Sequence, residues 1–379
     1  MSTLSSTLRF PEFSGEWKMC TIGELITKVG SGVTPRGGEA VYKTEGHPFV
    51  RSQNVGLGNL LLDDIAFIDE ETHLRQKNTE LQFNDVLLNI TGASIGRSAL
   101  VDKQIVGGNV NQHVCIIRTK ENLVPSFICS FLLSNYGQRQ IDSFQAGGNR
   151  QGLNFEQIKS IKITIPSKDE QIKIAKLLRA IDERIATQNK IIEKLQSLIK
   201  GLRVCCMQRN GSNNVYLSEI AQIYQPQTIS SAELTEDGFL VYGANGIIGK
   251  YKDYNHKTEQ ICITCRGNTC GMVNYTKPMS WITGNAMVIN TDKYQDKVYK
   301  KYLYHYLSAY NFNSIISGSG QPQIVRTPLE KLKITLPTIS EQKQKAMILD
   351  KVQDKIEINH NILNLYILQK QYLLRQMFI

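Results

Sequence analysis

The chain has 379 residues, and its 44 lysines and arginines outnumber its 34 aspartates and glutamates to give a formal net charge of +10. This length predicts two or three domains at roughly 100–200 residues each, and a hydrophobic fraction of 41% excludes wholesale disorder. No apolar run of about 18 residues is present, so we expect no membrane span, and the first residues lack a secretory signal pattern. Eight cysteines without framework spacing favour a reducing cytoplasm.

An internal repeat organises the sequence. Five segments of the first half match segments of the second half in the same order. The pairs are Thr21–Ile26 with Tyr216–Ala221, Asn89–Gly96 with Thr264–Gly271, Gly108-Asn109 with Gly284-Asn285, Gly147–Asn154 with Gly318–Val325, and Ile161–Gln171 with Leu332–Gln342. The period is far too long for a solenoid, so it indicates duplicated domains.

Each half begins with a region of short β-branched runs bounded by Gly and Asn, which predicts a strand-rich α+β domain. Helical segments are predicted within these regions at 126–145 and 296–314. Each half ends in a long charged segment. The predicted organisation is therefore a first domain at 1–166, a long helix at 167–210, a second domain at 211–337 and another long helix at 338–379.

Both long segments carry an apolar repeat of about 3.5 residues, which predicts a coiled coil. The seam consists of Leu178, Ile181, Ile185, Ile192, Leu195 and Ile199 in the first helix, and Leu349, Val352, Ile356 and Leu363 in the second. Because neither helix is apolar all round, we expect the two to pair with each other. Gln188 and Asn359 interrupt the two seams and could fix the register, whereas Lys345 and Lys370 are expected to weaken the pairing at its ends.

Catalytic signatures are absent from the sequence: it has no Walker A pattern, no zinc-protease or nucleophile-elbow motif, and no recognisable nuclease or amino-methyltransferase motif. A cysteine-rich loop near His256 raises the possibility of zinc. Its cysteines are Cys262, Cys265 and Cys270, and their counterparts in the first half are Leu87, Ile90 and Ile95. Since those counterparts are all aliphatic, we expect the cysteines to pack in a core. His113 is interpreted as a surface or strand-end residue, because no nucleophile lies near it in the sequence.

Gly-flanked loops in both halves carry the side chains that read base edges, because Arg pairs with guanine and Asn or Gln with adenine through two hydrogen bonds. The candidate DNA-contacting residues of the first half are Arg36, Arg51, Gln53, Asn54, Ser94, Arg97, Asn109, Asn111, Gln112, Asn149, Arg150 and Gln151. Those of the second half are Asn245, Arg266, Asn268, Asn285, Gln321 and Gln323. Any one of them taken alone is better explained as a solvated loop side chain, but the recurrence of the set at matched places favours DNA recognition.

This arrangement resembles the specificity subunit of type I restriction–modification systems. The resemblance rests on the opening LRFPEFSGEWKMCTIGEL, on the paired segments ITIPSKDEQIKIAKLL and ITLPTISEQKQKAMIL, and on the Gly-rich loops GGNRQGLN and GSGQPQIV. It covers the whole chain. It implies two target-recognition domains in pseudo-twofold tandem, separated by two long antiparallel helices that form a coiled coil.

The resemblance also implies a division of labour. Each recognition domain would read one half of a bipartite site in double-stranded DNA, and the helices would set the spacer and dock two methyltransferase subunits. Methyl transfer, translocation and cleavage would belong to the modification and restriction subunits, which would use S-adenosylmethionine, ATP and Mg²⁺. The chain itself would then bind no cofactor or metal and would not be an enzyme. Two alternatives remain open: a self-contained methyltransferase or nuclease with a cryptic site, and a coiled-coil adaptor that binds no DNA.

Overall fold

A computed structural model of the chain describes residues 8–145, 152–207, 213–244, 246–318 and 320–378. The chain divides into two units. Unit 1 comprises Met1–Asn189 and Ile362–Ile379, and unit 2 comprises Lys190–Asn361. The division therefore crosses both long helices instead of falling at their ends. No helix among the described residues is long and apolar enough to cross a membrane.

The described residues of unit 1 form nine short strands, five short helices and parts of two long helices. Its strands are β1 (Lys18–Thr21), β2 (Ile26–Ser31), β3 (His47–Val50), β4 (Ala66–Ile68), β5 (Val86–Asn89), β6 (Ser98–Leu100), β7 (Asn109–Val110), β8 (Val114–Thr119) and β9 (Lys162–Ile165). Its short helices are α1 (Ile22–Leu25), α2 (Glu70–Arg75), α3 (Pro125–Leu133), α4 (Asn135–Ser143) and α5 (Phe155–Ser160). The first long helix is α6 (Lys168–Met207).

Unit 2 contains the remaining strands and helices. Its strands are β10 (Asn213–Tyr216), β11 (Gln222–Tyr224), β12 (Phe239–Gly243), β13 (Gly246–Tyr251), β14 (Ile261–Thr264), β15 (Val273–Tyr275), β16 (Trp281–Ile282), β17 (Ala286–Asn290) and β18 (Lys333–Leu336). Its helices are α7 (Lys300–Ala309) and α8 (Arg326–Glu330), and the second long helix is α9 (Ile339–Gln376).

The two units share one sheet plan. In unit 1, β1 pairs with β9, a four-stranded antiparallel sheet has the order β2-β8-β5-β6, and a three-stranded sheet has the order β4-β3-β7. In unit 2, β10 pairs with β18, and the corresponding orders are β11-β17-β14-β15 and β13-β12-β16. In each three-stranded sheet one pair is parallel and the other antiparallel. The duplication inferred from the sequence is therefore a duplication of topology.

Strand register corrects one of the sequence matches. Asn109 pairs with Phe49 in β3, and the residue that pairs with the corresponding Val241 in β12 is Trp281. Asn109 is therefore equivalent to Trp281 and not to Asn285. The two Gly-Asn dipeptides have the same letters but not the same place in the fold. The two halves differ in loop length before this strand, and the strand register shows the offset, which the letters alone do not.

The core of each unit lies where the four-stranded sheet meets its helices. In unit 1 this core includes Ile117, Phe127 and Phe131, and the start of α6 and the end of α9 complete it. The equivalent core of unit 2 includes Ile289, Leu303 and Leu307.

The helix expected at 126–145 is two helices, because Ser134 interrupts it. The Ser134 hydroxyl donates to the Phe131 carbonyl and accepts from the backbone N–H of Gly137, so it ends α3 and caps α4. In unit 2, the helix expected at 296–314 is shorter and consists of α7 and a 3-10 turn at Phe312–Ser314.

Within unit 1, the first part of α6 lies antiparallel to the last part of α9. Lys370 Nζ lies 2.6 Å from Asp182 Oδ1, and the Arg184 guanidinium lies 5.8 Å from the centre of the Tyr366 ring. The seam residues Leu178 and Ile181 are buried, and Ile185 packs against the same core.

Within unit 2, the last part of α6 lies antiparallel to the first part of α9. Lys345 Nζ donates to the carbonyl of Cys206 at 2.8 Å. The seam cluster contains Ile199, Leu349 and Ile356 at its centre, with Leu195, Leu202 and Val352 against it. Ile192 is buried and Leu363, in unit 1, is half-buried.

Lys345 and Lys370 each add a contact between the two long helices. Each lysine reaches the other helix of its own unit and binds an oxygen atom there. These contacts oppose the weakening expected from the sequence, which stays a prediction. Gln188 is buried, and its pairing with Asn359 stays a prediction.

Candidate nucleic-acid interface

Four loops of unit 1 meet at one edge of its sheets, and hydrogen bonds join them. The Gln112 side chain accepts from the backbone N–H of Thr34 at 2.8 Å and from the Thr34 hydroxyl. Beside it, the imidazole of His113 is bonded to the Thr91 hydroxyl. The loops that begin after β2, β5 and β7 are thereby held together.

A buried asparagine connects the fourth loop to this group. The Asn89 amide donates to the Ser52 carbonyl at 2.8 Å and to the Ser94 hydroxyl at 3.1 Å. Thr91 also forms an isolated antiparallel bridge with Gly152, which belongs to the Gly-rich segment GGNRQGLN. These contacts gather the segments around Thr34, Ser52, Ser94 and Gln112 into one surface.

Most of the described candidates of unit 1 have solvent-accessible side chains on this surface. The exposed ones are Arg36, Gln53, Arg97 and Gln112, and the half-buried ones are Arg51 and Ser94. Arg51 is held in place, since its guanidinium donates to the Asp64 carbonyl at 2.6 Å and lies 5.3 Å from the centre of the Tyr42 ring. Gln53 is bonded to the same Asp64 carboxylate.

Three asparagines of the predicted set are interior scaffold residues instead. Asn54 has no exposed surface, and its amide donates to the Leu61 carbonyl and the Asp64 carboxylate, both at 2.9 Å. Asn109 is equally buried and bonds to Gln76 and His73. Asn111 is 6% exposed and caps its own turn by accepting from the N–H of His113. A side chain with its polar atoms committed inside the protein has none to offer a base.

Four further candidates, Asn149, Arg150, Gln151 and Asn245, lie outside the described residues.

Unit 2 gathers its loops in the same manner. Arg266 and Gln323 form an isolated antiparallel bridge, and the N–H of Gly267 donates to the Pro322 carbonyl at 3.0 Å. The N–H of Cys265 donates to the Asn285 carbonyl, also at 3.0 Å. All the described candidates of this unit are exposed, namely Arg266, Asn268, Asn285, Gln321 and Gln323.

The two surfaces correspond position by position. The bridge between Thr91 and Gly152 in unit 1 has its equivalent in the bridge between Arg266 and Gln323 in unit 2. In unit 1 the Thr34 hydroxyl bonds to the Gln112 side chain. The equivalent position to Gln112 in unit 2 is Gly284, which has no side chain, and a Cβ added there would lie 2.4 Å from the Thr228 hydroxyl. A threonine hydroxyl therefore lies beside the same backbone position in both units. The backbone frame is therefore repeated, while the side chains on it differ. A repeated frame with different side chains is suited to reading two different sequences.

The cysteines of unit 2 behave as packing residues. Cys262 and Cys265 are buried, and burial raises the pKa of the Cys262 thiol to about 12, so it stays protonated. Their counterparts Leu87 and Ile90 are buried in unit 1. In the described part of the chain, no group of three or more His, Cys, Asp or Glu side chains could hold a metal ion.

One pair of structural glutamines was missed in the sequence, although the repeated letters EQ could have revealed it. Gln171 accepts from the backbone N–H of Val124 at 2.9 Å and donates to the carbonyls of Asn122 and Pro166. Gln342 makes the same three bonds in unit 2, accepting from Tyr299 and donating to Lys297 and Pro337. Each glutamine fastens the start of a long helix to the segment ahead of α3 or α7.

Comparison with known proteins agrees with this duplicated frame. Residues 14–197 and 210–365 each match the family model described as "type I restriction modification DNA specificity domain". The type I restriction enzyme MjaVIII specificity subunit of Methanocaldococcus jannaschii is 25% identical, with 93% of this chain and 88% of that protein covered.

Solved structures agree in fold. The S subunit of the type I restriction–modification system of M. genitalium superposes with a TM-score of 0.67 at 16% identity, with 99% of both chains covered. A second structure, described as the structural basis of complex assembly and conformational transition of the type I R-M system, gives a TM-score of 0.58 at 15% identity over 96% of this chain and 97% of that one. Since two family matches together span most of its length, the chain belongs to the family of type I restriction–modification DNA specificity proteins.

Proposed function

We propose that this chain is the DNA sequence-specificity subunit of a type I restriction–modification complex, and that each unit reads one half of a bipartite site in double-stranded DNA. The observation that carries the proposal is the repeated loop surface. Each unit joins the same loops by equivalent contacts and exposes arginine together with asparagine or glutamine on them. These side chains make the hydrogen-bond pairs that distinguish guanine and adenine in the major groove.

Electrostatic attraction to the DNA backbone would supply most of the binding affinity. The formal charge of +10 favours association with a polyanion, and lysine and arginine contacts to phosphates provide most of the binding free energy in such complexes. Base contacts then add discrimination, which is what a specificity protein requires.

The long helices would have two functions. They would set the spacer between the half-sites, and they would dock two methyltransferase subunits, to which restriction and translocase subunits are added. We infer that the chain is not catalytic and binds no cofactor, and that S-adenosylmethionine, ATP and Mg²⁺ are used by the partner subunits. The expected location is the cytoplasm, where the host DNA lies.

The test is to map methylated bases in a host that carries this chain and its modification subunit. The two variants Arg97→Ala in unit 1 and Gln323→Ala in unit 2 are compared with the native chain. Each variant should relax one half-site only, by about 1–3 kcal/mol of discrimination at one or two base pairs, because one bidentate base contact is lost. The other half-site should be unchanged.

Matched controls are Arg75→Ala and Gln295→Ala, which remove exposed side chains of the same types that are not among the candidate DNA-contacting residues. Loss of both half-sites in either test variant would contradict independent reading by the two units.

The two competing functions have their own readout. Incubation of the purified chain with DNA, a labelled methyl donor and Mg²⁺ should give neither methylation nor cleavage; either product would support a self-contained enzyme. A chain that binds no DNA even with its modification subunit would be an adaptor.

A further inference from the structure

The β12–β13 hairpin of unit 2 exposes two consecutive isoleucines. Ile247 and Ile248 are 54% and 44% exposed. The register shifts within this pair of strands, because Tyr242 pairs with Ile247 whereas Val241 pairs with Gly249. Ile248 is therefore the extra residue of a β-bulge, which breaks the alternation that would otherwise direct one of the two side chains inward.

Contacts with the hairpin fix Ile248 in its position. A Cβ placed on Gly243 would lie 3.0 Å from Cδ1 of Ile248, so the isoleucine lies across a position that glycine leaves open. The opposite side of the hairpin is occupied by β16, and β13 is an edge strand of its sheet. The apolar pair is thus held on the surface by the fold and is not a fluctuating tail.

The hairpin is continuous with the loop surface of unit 2. The Ala244 carbonyl, which follows β12 directly, accepts hydrogen bonds from the hydroxyls of Thr264 and Thr269. These threonines flank the exposed side chains of Arg266 and Asn268. A duplex seated on the loop surface would therefore meet the hairpin as well.

Only one apolar group protrudes from the base edges in the major groove, and that is the 5-methyl group of thymine. A two-stranded β-ribbon fits into that groove. We propose that Ile247 and Ile248 contact the 5-methyl group of a thymine within the half-site that unit 2 reads. This inference rests on the proposed function and adds a specificity-determining apolar contact to it.

In the described part of unit 1, the strands equivalent to this hairpin carry no bulge of this kind. Strand β3 is joined to β4 by the long connection 51–65 instead of a tight hairpin, and the register of β3 with β4 runs from His47 to Phe49 without a shift. The contact made by this hairpin is therefore expected in the half-site of unit 2 only.

The experiment uses the complete chain with its modification subunit and duplexes that carry the mapped site. The half-site of unit 2 is the one relaxed by Gln323→Ala. Each thymine of that half-site is replaced in turn by deoxyuridine, which lacks only the 5-methyl group. For the native chain, one replacement should weaken binding about fourfold, which corresponds to ~0.8 kcal/mol for one buried methyl group.

In the double variant Ile247→Ser/Ile248→Ser the same replacement should change binding by less than about twofold, because serine carries no methyl group. Both side chains are exposed on an edge strand, so the hairpin should remain folded. Retained discrimination at the other base pairs of the unit 2 half-site verifies this. The control Leu57→Ser alters an exposed aliphatic residue of unit 1 and should leave the deoxyuridine effect at fourfold.

Three outcomes would overturn the inference while leaving the proposed function intact: a unit 2 half-site without thymine on either strand, equal binding of all deoxyuridine duplexes, or an undiminished effect in the double variant. A change in the mass of the complex with the double variant would instead assign the isoleucines to an interface between copies of the chain. If neither half-site is recognised at all, the proposed function fails, and this inference fails with it.

Discussion

Gln171 and Gln342 show how a single side chain can position a long helix. Each is almost fully buried, and each satisfies one backbone N–H and two backbone carbonyls that no other described group is seen to bind. A buried backbone polar group without a partner costs about 1–3 kcal/mol. Because each glutamine side chain satisfies three such groups, it contributes strongly to the stability of its unit. The motif EQ therefore marks the place where each long helix is fastened to its globular region.

Replacing Gln171 by methionine should lower the free energy of unfolding of unit 1 by at least ~2 kcal/mol, because methionine keeps the volume but satisfies none of the three groups. The chain has two tryptophans, Trp17 in unit 1 and Trp281 in unit 2. Urea unfolding followed by the fluorescence of Trp17, in a Trp281→Phe background, measures the change.

Gln104→Met, on an exposed part of unit 1, is the matched control and should change this free energy by less than about 0.5 kcal/mol. A Gln171→Met chain as stable as the control would show that the three bonds are not needed.

For individual residues, the sequence predicted the chemical type of the candidate side chains, but it did not predict which of them are buried. Arg97 and Gln323 are exposed as expected, but Asn54 and Asn109 have the same residue types and are interior. The difference arises from tertiary contacts: Asn54 faces Asp64 and Asn109 faces His73. The cysteines were interpretable because the repeat supplied an aliphatic equivalent for each of them.

At the scale of elements, α7 is joined to both long helices inside unit 2 by His305. Its Nε2 lies 2.9 Å from Asp350 Oδ1 on α9, and its Nδ1 accepts from Arg203 on α6 at 3.3 Å. Lys301 lies 2.9 Å from the other oxygen of the same carboxylate. Burial lowers the pKa of His305, and this outweighs the opposing effect of its hydrogen bond to Asp350. The imidazole is therefore neutral in the folded chain at neutral pH.

This lowered pKa predicts acid sensitivity of unit 2. Between the ordinary histidine pKa of about 6.5 and the lower folded value, the unfolded chain binds the proton and the folded chain does not, so stability falls as the pH falls. His256, whose pKa burial also lowers, acts in the same direction. Urea unfolding followed by Trp281, in a Trp17→Phe background, should show lower stability at about pH 5.5 than at about pH 7.5.

His305→Gln should reduce that pH dependence, although it should also lower stability at neutral pH by removing the contacts with Arg203 and Asp350. His360→Gln, which changes an exposed histidine on α9, should leave the dependence as it is. An unchanged slope in His305→Gln would assign the effect to other groups.

The order of the globular domains and long helices could be read from the sequence, whereas the boundaries of the short helices could not. Both long helices begin close to the expected places because a proline precedes each of them. The division between α3 and α4 was missed because Ser134 acts both as the end of one helix and as the cap of the next. The contacts of Lys345 and Lys370 with the facing helix could not be read from the heptad pattern, which does not show where a charged side chain finds its partner.

At the scale of the whole molecule, the internal repeat was the strongest signal in the sequence, and the shared sheet orders confirm it. The match of Asn109 to Asn285 was wrong because the repeats differ in loop length, which only the strand register reveals. Which side chains face outward from the repeated frame depends on contacts between loops that are distant in sequence. The sequence therefore predicted the residue types of the candidate surface, but only some of the individual residues that lie on it.

The proposed spacer function makes a quantitative prediction. Deleting seven residues from α6 and seven facing residues from α9 shortens each helix by about 10 Å at 1.5 Å per residue. At about 34 Å per ten base pairs, the preferred spacer should shorten by about three base pairs while both half-sites keep their sequences. Mapping of methylated bases in the host measures this directly.

A deletion of seven residues from α6 alone is the control, and it should abolish methylation because the seams no longer match. An unaltered spacer with the matched deletion would show that the helices do not determine it.

The pairing of β1 with β9 and of β10 with β18 brings the entry and exit of each globular region together as hydrogen-bonded neighbours. A region whose two ends meet at such a strand pair can be exchanged for a homologous one with little disturbance to the rest of the chain. Genetic recombination with breakpoints in these strands would then yield hybrid proteins that join one ancestor's first half-site to another's second. New specificities would arise by shuffling intact cassettes, with no need to remodel either reading surface residue by residue.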